Sequence, residues 1–254
     1  AISTYAFALN SPLLFMDPNG KEGVVTIQNN PSGGGTITIS TIVYITGAGA
    51  SQDKADALNA DYGNYVKPGS YTDASGNKFD VKINITFQYA PDESKIQLQR
   101  GENIVELSDE NLRSHASGEG GVVKSEQPDG KWTTKSEFKV GQFAKLGKDD
   151  QTSRVVTHEV LHLLGLSDRY VDHPVYGRDA QGKLVLSVES VPNPGFEDDI
   201  MAKGYTFSQV HTDNYGKYIL GQESSQGCQF ILDHFVDLDP ATGNLIGGEP
   251  PKKQ

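Results

Sequence analysis

Cysteine is almost missing from this chain: Cys228 stands alone among 254 residues. That excludes an intrachain disulfide framework and a cysteine-rich zinc module, and leaves Cys228 to be read as a small buried hydrophobe. Methionine is nearly as scarce, with only Met16 and Met201. Positive charge is short as well, 22 Lys+Arg against 33 Asp+Glu, for a net charge of −11. Duplex binding needs a cationic face, so nucleic acid is not an expected partner. The same balance disfavours acidic substrates near a binding cleft. No apolar run approaches the roughly 18 residues that a membrane-spanning helix needs. No internal repeat is evident. Ala1 is not followed by a basic-then-apolar leader, and the expectation is a piece of a longer polypeptide.

What is present describes a globular, loop-rich chain. Hydrophobic residues make up 36%, with 28 Gly and 12 Pro, and the length suits one large domain or two small ones. The β-branched run Thr36 to Thr46 reads as a buried strand after the Pro31–Gly35 loop. Ser51 to Val66 carries Ala55, Leu58, Tyr62 and Tyr65 at helical spacing and stops at Pro68-Gly69. Phe79 to Tyr89 alternates, with Val81, Ile83, Ile85, Phe87 and Tyr89 on one face, as a half-buried strand does. Shorter strands are expected at Asn103 to Leu107, Gly121 to Ser125 and Thr133 to Phe143, with a turn at Pro128-Asp129-Gly130. Strand, helix, several strands and then a further helix argue for an α+β fold with an α/β-like layered sheet.

That later helix, Thr152 to Leu164, is capped by Asp149, Asp150 or Thr152 and contains His158-Glu159-Val160-Leu161-His162. Residues four apart share a helical face, so both imidazoles can reach one metal ion. Glu159, one step round, can take a proton from a water on that metal without being a ligand. Gly165 follows Leu163-Leu164 where a left-handed cap would end the helix and reverse the chain. Asp168, three residues on, would return to the metal as a carboxylate ligand, leaving the fourth position open. His173 competes with Asp168 for the role of third ligand. The long stretch Val171 to Asp199 reads as a cleft-shaping loop.

The eleven residues from His158 to Asp168 resemble the metzincin clan of zinc endopeptidases, whose signature is His-Glu-x-x-His-x-x-Gly-x-x-His/Asp; Asp at the last position resembles the snapalysin-type variant. The resemblance implies a mixed twisted sheet, an active-site helix, a Met-turn and a C-terminal helix. It implies one catalytic Zn2+ held by His158, His162 and Asp168, with Glu159 as general base. Met201, in Asp198-Asp-Ile-Met-Ala202, would be the Met-turn residue, against the plainer reading of core filler. Some metzincins carry a tyrosine two residues after the methionine; here Lys203 holds that place. Tyr205, four after, would bond the tetrahedral intermediate or simply pack. The last helix is expected to open at Thr206-Phe-Ser-Gln209, a capping-box pattern, and His211 on it reads as a polar helix residue rather than a ligand. His115 and His234 have no partner spacing.

The opening segment, Tyr5-Ala-Phe-Ala-Leu-Asn-Ser-Pro-Leu-Leu-Phe-Met-Asp-Pro-Asn-Gly20, resembles the closing motif of the Rhs (YD-repeat) core. Residues 1–20 would then be the tail of that core, and residues 21–254 its metallopeptidase payload. The implied context is a bacterial effector or toxin, secreted or delivered to a target cell, with a protein or peptide substrate and a cognate immunity or inhibitor protein. Asp237-x-Asp239-Pro-Ala-Thr-Gly243 offers oxygen ligands for a structural Ca2+. Two other readings stand beside the endopeptidase: a zinc-bearing module that binds a peptide or protein without turnover, and a structural domain whose histidines lie at the surface.

Overall fold

The computed structural model describes residues 23–99, 101–116, 123–126, 132–135, 143–178, 181–221 and 229–231. The Rhs-like segment, Pro128–Gly130, Cys228, His234 and the Asp237–Gly243 loop lie outside the described residues.

The fold is organised around one long strand, β2 (Gly35–Thr46), whose alternate side chains from Ile37 to Ile45 are buried. β4 (Lys78–Tyr89) runs parallel along one edge of β2 from Gly35 to Ile45. The opposite edge is shared. β1 (Val24–Asn29) pairs antiparallel with Gly35–Ser40, and β5 (Glu102–Leu107) pairs parallel with Ile42–Thr46. Thr41 sits at the hand-over between them. Its buried hydroxyl donates to the Gly101 carbonyl at 3.1 Å and accepts from Asn103 Nδ2 at 2.7 Å, so the Thr41 hydroxyl is satisfied at the break in the ladder. β9 (Phe143–Leu146) continues parallel to β5, and the edge strand β6 (His115–Ala116) lies antiparallel to β9. At the other end β3 (Gly69–Thr72) pairs antiparallel with β4, while β12 (Gln229–Ile231) extends β1. Two hairpins stand apart from this mixed sheet: β7 (Val123–Glu126) with β8 (Trp132–Lys135), and β10 (Tyr170–Arg178) with β11 (Leu184–Pro192).

The period-two pattern of β4 is realised: Phe79, Val81, Ile83, Ile85 and Phe87 are buried, and the intervening residues are exposed. Tyr89, at the strand's end, departs from it and is 36% exposed. The buried face is covered by α1 (Gln52–Tyr65), α2 (Ser153–Leu163) and α3 (Gln209–Gly221). α1 and α3 pack on β4, and α2 packs on α1, β5, β6 and β9. Ser51 caps α1, accepting from Lys54 N–H at 3.1 Å, and Ala55 and Leu58 face the sheet. The result is an α+β fold, a mixed sheet with helices on its apolar face.

Three local expectations change. Thr133 to Phe143 is not one strand: Trp132–Lys135 belongs to the β7–β8 hairpin and Phe143–Leu146 to the main sheet. Val171 to Asp199 is not a plain loop, because most of it forms the β10–β11 hairpin, paired over nine positions from Tyr170↔Pro192 to Arg178↔Leu184. α3 opens at Gln209 rather than with a Thr206 capping box. Thr206 is engaged elsewhere, its carbonyl accepting from Ile200 N–H at 2.9 Å.

Candidate metal centre

α2 is capped by Thr152, one of the three capping candidates, whose hydroxyl accepts from Val155 N–H at 3.3 Å. The helix buries Val156, Val160, Leu161 and Leu163 and brings His158 and Glu159, 7% and 6% exposed, to the floor of a cleft of about 200 Å3. Its end is a Schellman turn. Gly165, at φ +93°, donates to the His162 carbonyl at 2.9 Å, and Leu166 N–H reaches back to the Leu161 carbonyl at 3.0 Å. A left-handed residue there is what glycine supplies at no steric cost. The reversal carries Asp168 back beside the helix.

His158 Nε2, His162 Nε2 and Asp168 Oδ1 converge, with separations of 3.1 Å between the imidazoles and 3.3 and 3.1 Å from them to the carboxylate. Donors about 2.0–2.1 Å from a single tetrahedral ion stand about 3.3–3.4 Å apart, so these edges are close to those of an ion-binding face. The hydrogen bonds behind the rings settle which nitrogen faces the centre. His158 Nδ1 lies 2.7 Å from the Ile200 carbonyl, and His162 Nδ1 lies 2.7 Å from the Leu166 carbonyl. A carbonyl only accepts, so both Nδ1 atoms carry a proton, and each ring, when neutral, presents its Nε2 lone pair inward. Asp168 Oδ1, shielded from solvent, adds a third electron-rich atom. Three such atoms at these distances favour a cation among them. His158, His162 and Asp168 form a group that can hold a metal ion.

A proton is the competing cation. Burial disfavours a charged His162, but the hydrogen bond and charge of Asp168, helped by Glu159 and the Leu166 carbonyl, outweigh it and lift the imidazole to about 9. Burial likewise acts to raise Asp168, and the two histidines more than reverse it, holding the carboxyl far below its ordinary range.

The Asp199–Ala202 turn supports this centre from beneath. Met201 is fully buried, which suits the Met-turn and core-filler readings alike; the turn's backbone does the holding. The Ile200 carbonyl fixes His158, and the Met201 carbonyl accepts from Arg169 N–H at 2.7 Å, next to Asp168. The turn is itself pinned by Asp199, whose buried carboxylate accepts from Met201 N–H at 2.7 Å, from the Ser208 hydroxyl and from His211 Nε2 at 2.9 and 3.0 Å. α3 reaches the Schellman turn through Tyr215, whose hydroxyl donates to the Leu164 carbonyl at 3.0 Å.

No family model, curated protein or solved structure matches this chain. Its site therefore stands on its own geometry.

Glu159 lines the cleft beside His158 and lies outside the three-residue ligand group. His173, on β10, is exposed and also lies outside that group. Tyr205 is 65% exposed, with its ring against Tyr65 at 6.2 Å and the Arg154 guanidinium 5.9 Å from its centre, an arrangement of packing. The tyrosine in the cleft wall is Tyr170, whose ring lies nearly parallel to that of His158 at 6.4 Å. Its signal in the sequence is adjacency: it follows Asp168 by two residues, as the chain leaves the ligand turn. His211 lies outside the group of His158, His162 and Asp168 and is fully buried against Asp199, and no spacing rule couples residues twelve apart across a turn and a helix start.

Proposed function

We propose that this chain is a zinc-dependent endopeptidase. The observation that carries the reading is the convergence of His158, His162 and Asp168 on one point, with Glu159 in the wall of the same cleft. Three protein donors suit a catalytic rather than a closed structural site, and two imidazoles with a carboxylate suit zinc. Zinc bound there would polarise the scissile carbonyl and lower the pKa of water toward neutrality.

The chain's own residues do the rest. His158 and His162 are kept in one tautomer by the Ile200 and Leu166 carbonyls, and Asp168 is carried back by the Gly165 turn. Glu159 takes the proton from the attacking water at a carboxylate oxygen and passes it to the leaving amine nitrogen. Its near-burial keeps bulk water from competing for that proton. The resemblance of residues 5–20 to the Rhs core adds a context to the proposal: a bacterial effector delivered to or secreted toward a target, countered by an immunity protein.

The test is a broad peptide library incubated with the zinc-loaded chain, with and without a chelator. Cleavage that chelation abolishes and zinc restores is the expected result. Full zinc occupancy with no member cleaved would replace this reading with a zinc-bearing binding module.

A further inference from the structure

The cleft does not share the sign of the chain. The whole molecule carries −11, yet the wall that holds His158 and Glu159 also contains Arg113, Arg154 and Lys203. Of the acids in that wall, Asp150 accepts the Ser114 hydroxyl at 2.8 Å, and Glu159 is the proposed proton carrier. Arg154 lies one helical turn before His158 on α2, so its side chain issues from the metal-bearing face. Its nearest described anchor is the Tyr205 ring, itself braced on Tyr65. An aromatic face attracts a guanidinium without neutralising it. Lys203, two residues after Met201, enters the same cleft from the end of the Asp199–Ala202 turn and is exposed. Among the described residues, neither Arg154 nor Lys203 forms a salt bridge.

Range decides between the local and global charges. At physiological ionic strength, surface charges more than about 8 Å apart are largely screened, whereas charges lining one concave wall act together on whatever enters it. The acidic remainder of the surface therefore governs solubility, and the cleft governs what binds there. Those lining charges oppose, at the cleft, the disfavour toward acidic substrates that the net charge alone would suggest.

We infer that the cleft selects peptides bearing an aspartate or glutamate side chain beside the scissile bond, with Arg154 and Lys203 as specificity-determining residues. This rests on the endopeptidase reading for the bond and on the cleft's lining for the charge. A carboxylate entering the cleft meets a guanidinium fork and an ammonium; a lysine meets like charges.

The test uses internally quenched peptides identical except for Glu, Gln or Lys at the positions flanking the cleaved bond. The Glu series should show kcat/KM about tenfold above Gln and further above Lys, with the gap narrowing in high salt. The double variant Arg154→Glu, Lys203→Glu, changed at half-buried and exposed positions, should invert the order. The same peptides, fluorescently labelled, are titrated onto Glu159→Gln protein, so that charge preference is read without turnover. Equal kcat/KM for Glu, Gln and Lys would overturn the inference and leave the endopeptidase reading intact. Preferential binding of the Glu peptides with no zinc-dependent cleavage would support charge selection and remove the endopeptidase reading. A preference abolished by amidating the peptide C-terminus would overturn the side-chain assignment in favour of a terminal carboxylate.

Discussion

Glu159→Ala is expected to retain one zinc per chain and lose peptide cleavage by about a thousandfold, within the range that general acid–base catalysis supplies. The separation of the two effects follows from geometry. Glu159 lies outside the group formed by His158, His162 and Asp168, so its removal leaves all three donors in place. It also leaves behind the carbonyl bonds that fix both imidazoles. What disappears is the acceptor for the attacking water's proton and the donor to the leaving amine. A fall in kcat with KM little changed is therefore the expected pattern, because the carboxylate acts on the reacting atoms rather than on ground-state binding. Metal analysis of the purified variant alongside a cleavage assay checks both halves. Loss of zinc together with activity would make Glu159 a ligand or a folding residue instead.

Asp199→Ala is expected to be strongly destabilising, costing about 3–5 kcal/mol, as removal of one partner from a buried pair does. His211 is fully buried, so truncating Asp199 leaves its Nε2–H without the acceptor it has at 2.9 Å. Met201 N–H and the Ser208 hydroxyl lose the same acceptor, and the turn that presents the Ile200 carbonyl to His158 loses its pin. Zinc affinity should consequently fall about 10–100-fold even at temperatures where the variant is folded, the usual cost of disturbing a group that orients a ligand. Asp199→Asn, which retains one acceptor oxygen, should recover most of the zinc affinity. A double variant at Asp199 and His211 should cost less than the two single changes added together.

The pH dependence has a defined sign. Burial acts to raise the Asp199 carboxyl, and the His211 hydrogen bond and charge, the Ser208 hydroxyl and the Met201 N–H together overcome it, so the folded value lies below the ordinary one. A group depressed on folding stabilises the native state above its unfolded pKa of about 3.9, and that contribution is lost as pH falls through the folded value. Wild-type stability should therefore drop more steeply below about pH 4 than that of Asp199→Asn. Urea unfolding with and without zinc, at neutral and acid pH, measures all of this; unchanged stability and zinc affinity in Asp199→Ala would contradict the role given to the turn.

Much of the site is legible in the sequence because local rules govern it. Spacing of four residues puts His158 and His162 on one face, and the left-handed preference of glycine places the reversal at Gly165. Those two facts suffice to return Asp168 to the histidines, and the observed φ of +93° at Gly165 carries that out. The strands β2 and β4 are likewise legible because burial on one face imposes alternation. The β10–β11 hairpin is not. Pro174 and Gly177 read as loop chemistry, and among its described side chains Val171, Val175, Tyr176 and Leu184 are exposed, so they carry no burial period to read. The Asp199–His211 pair is illegible for a different reason, since its partners meet only after the turn and α3 have docked. Net charge says little about the cleft, whose lining mixes Arg113, Arg154 and Lys203 with Asp150 and Glu159, because it sums over the whole surface. Arg154 is nevertheless one turn from His158 in plain view.

X-ray absorption at the zinc edge, on protein purified without chelators, bears most directly on the central claim. The expected result is one zinc per chain with two imidazole nitrogens and one carboxylate oxygen from the polypeptide at about 2.0–2.2 Å, and an exchangeable oxygen completing the shell. A shell lacking two imidazoles, a fourth donor from the chain in place of the exchangeable oxygen, or no stoichiometric zinc would contradict it.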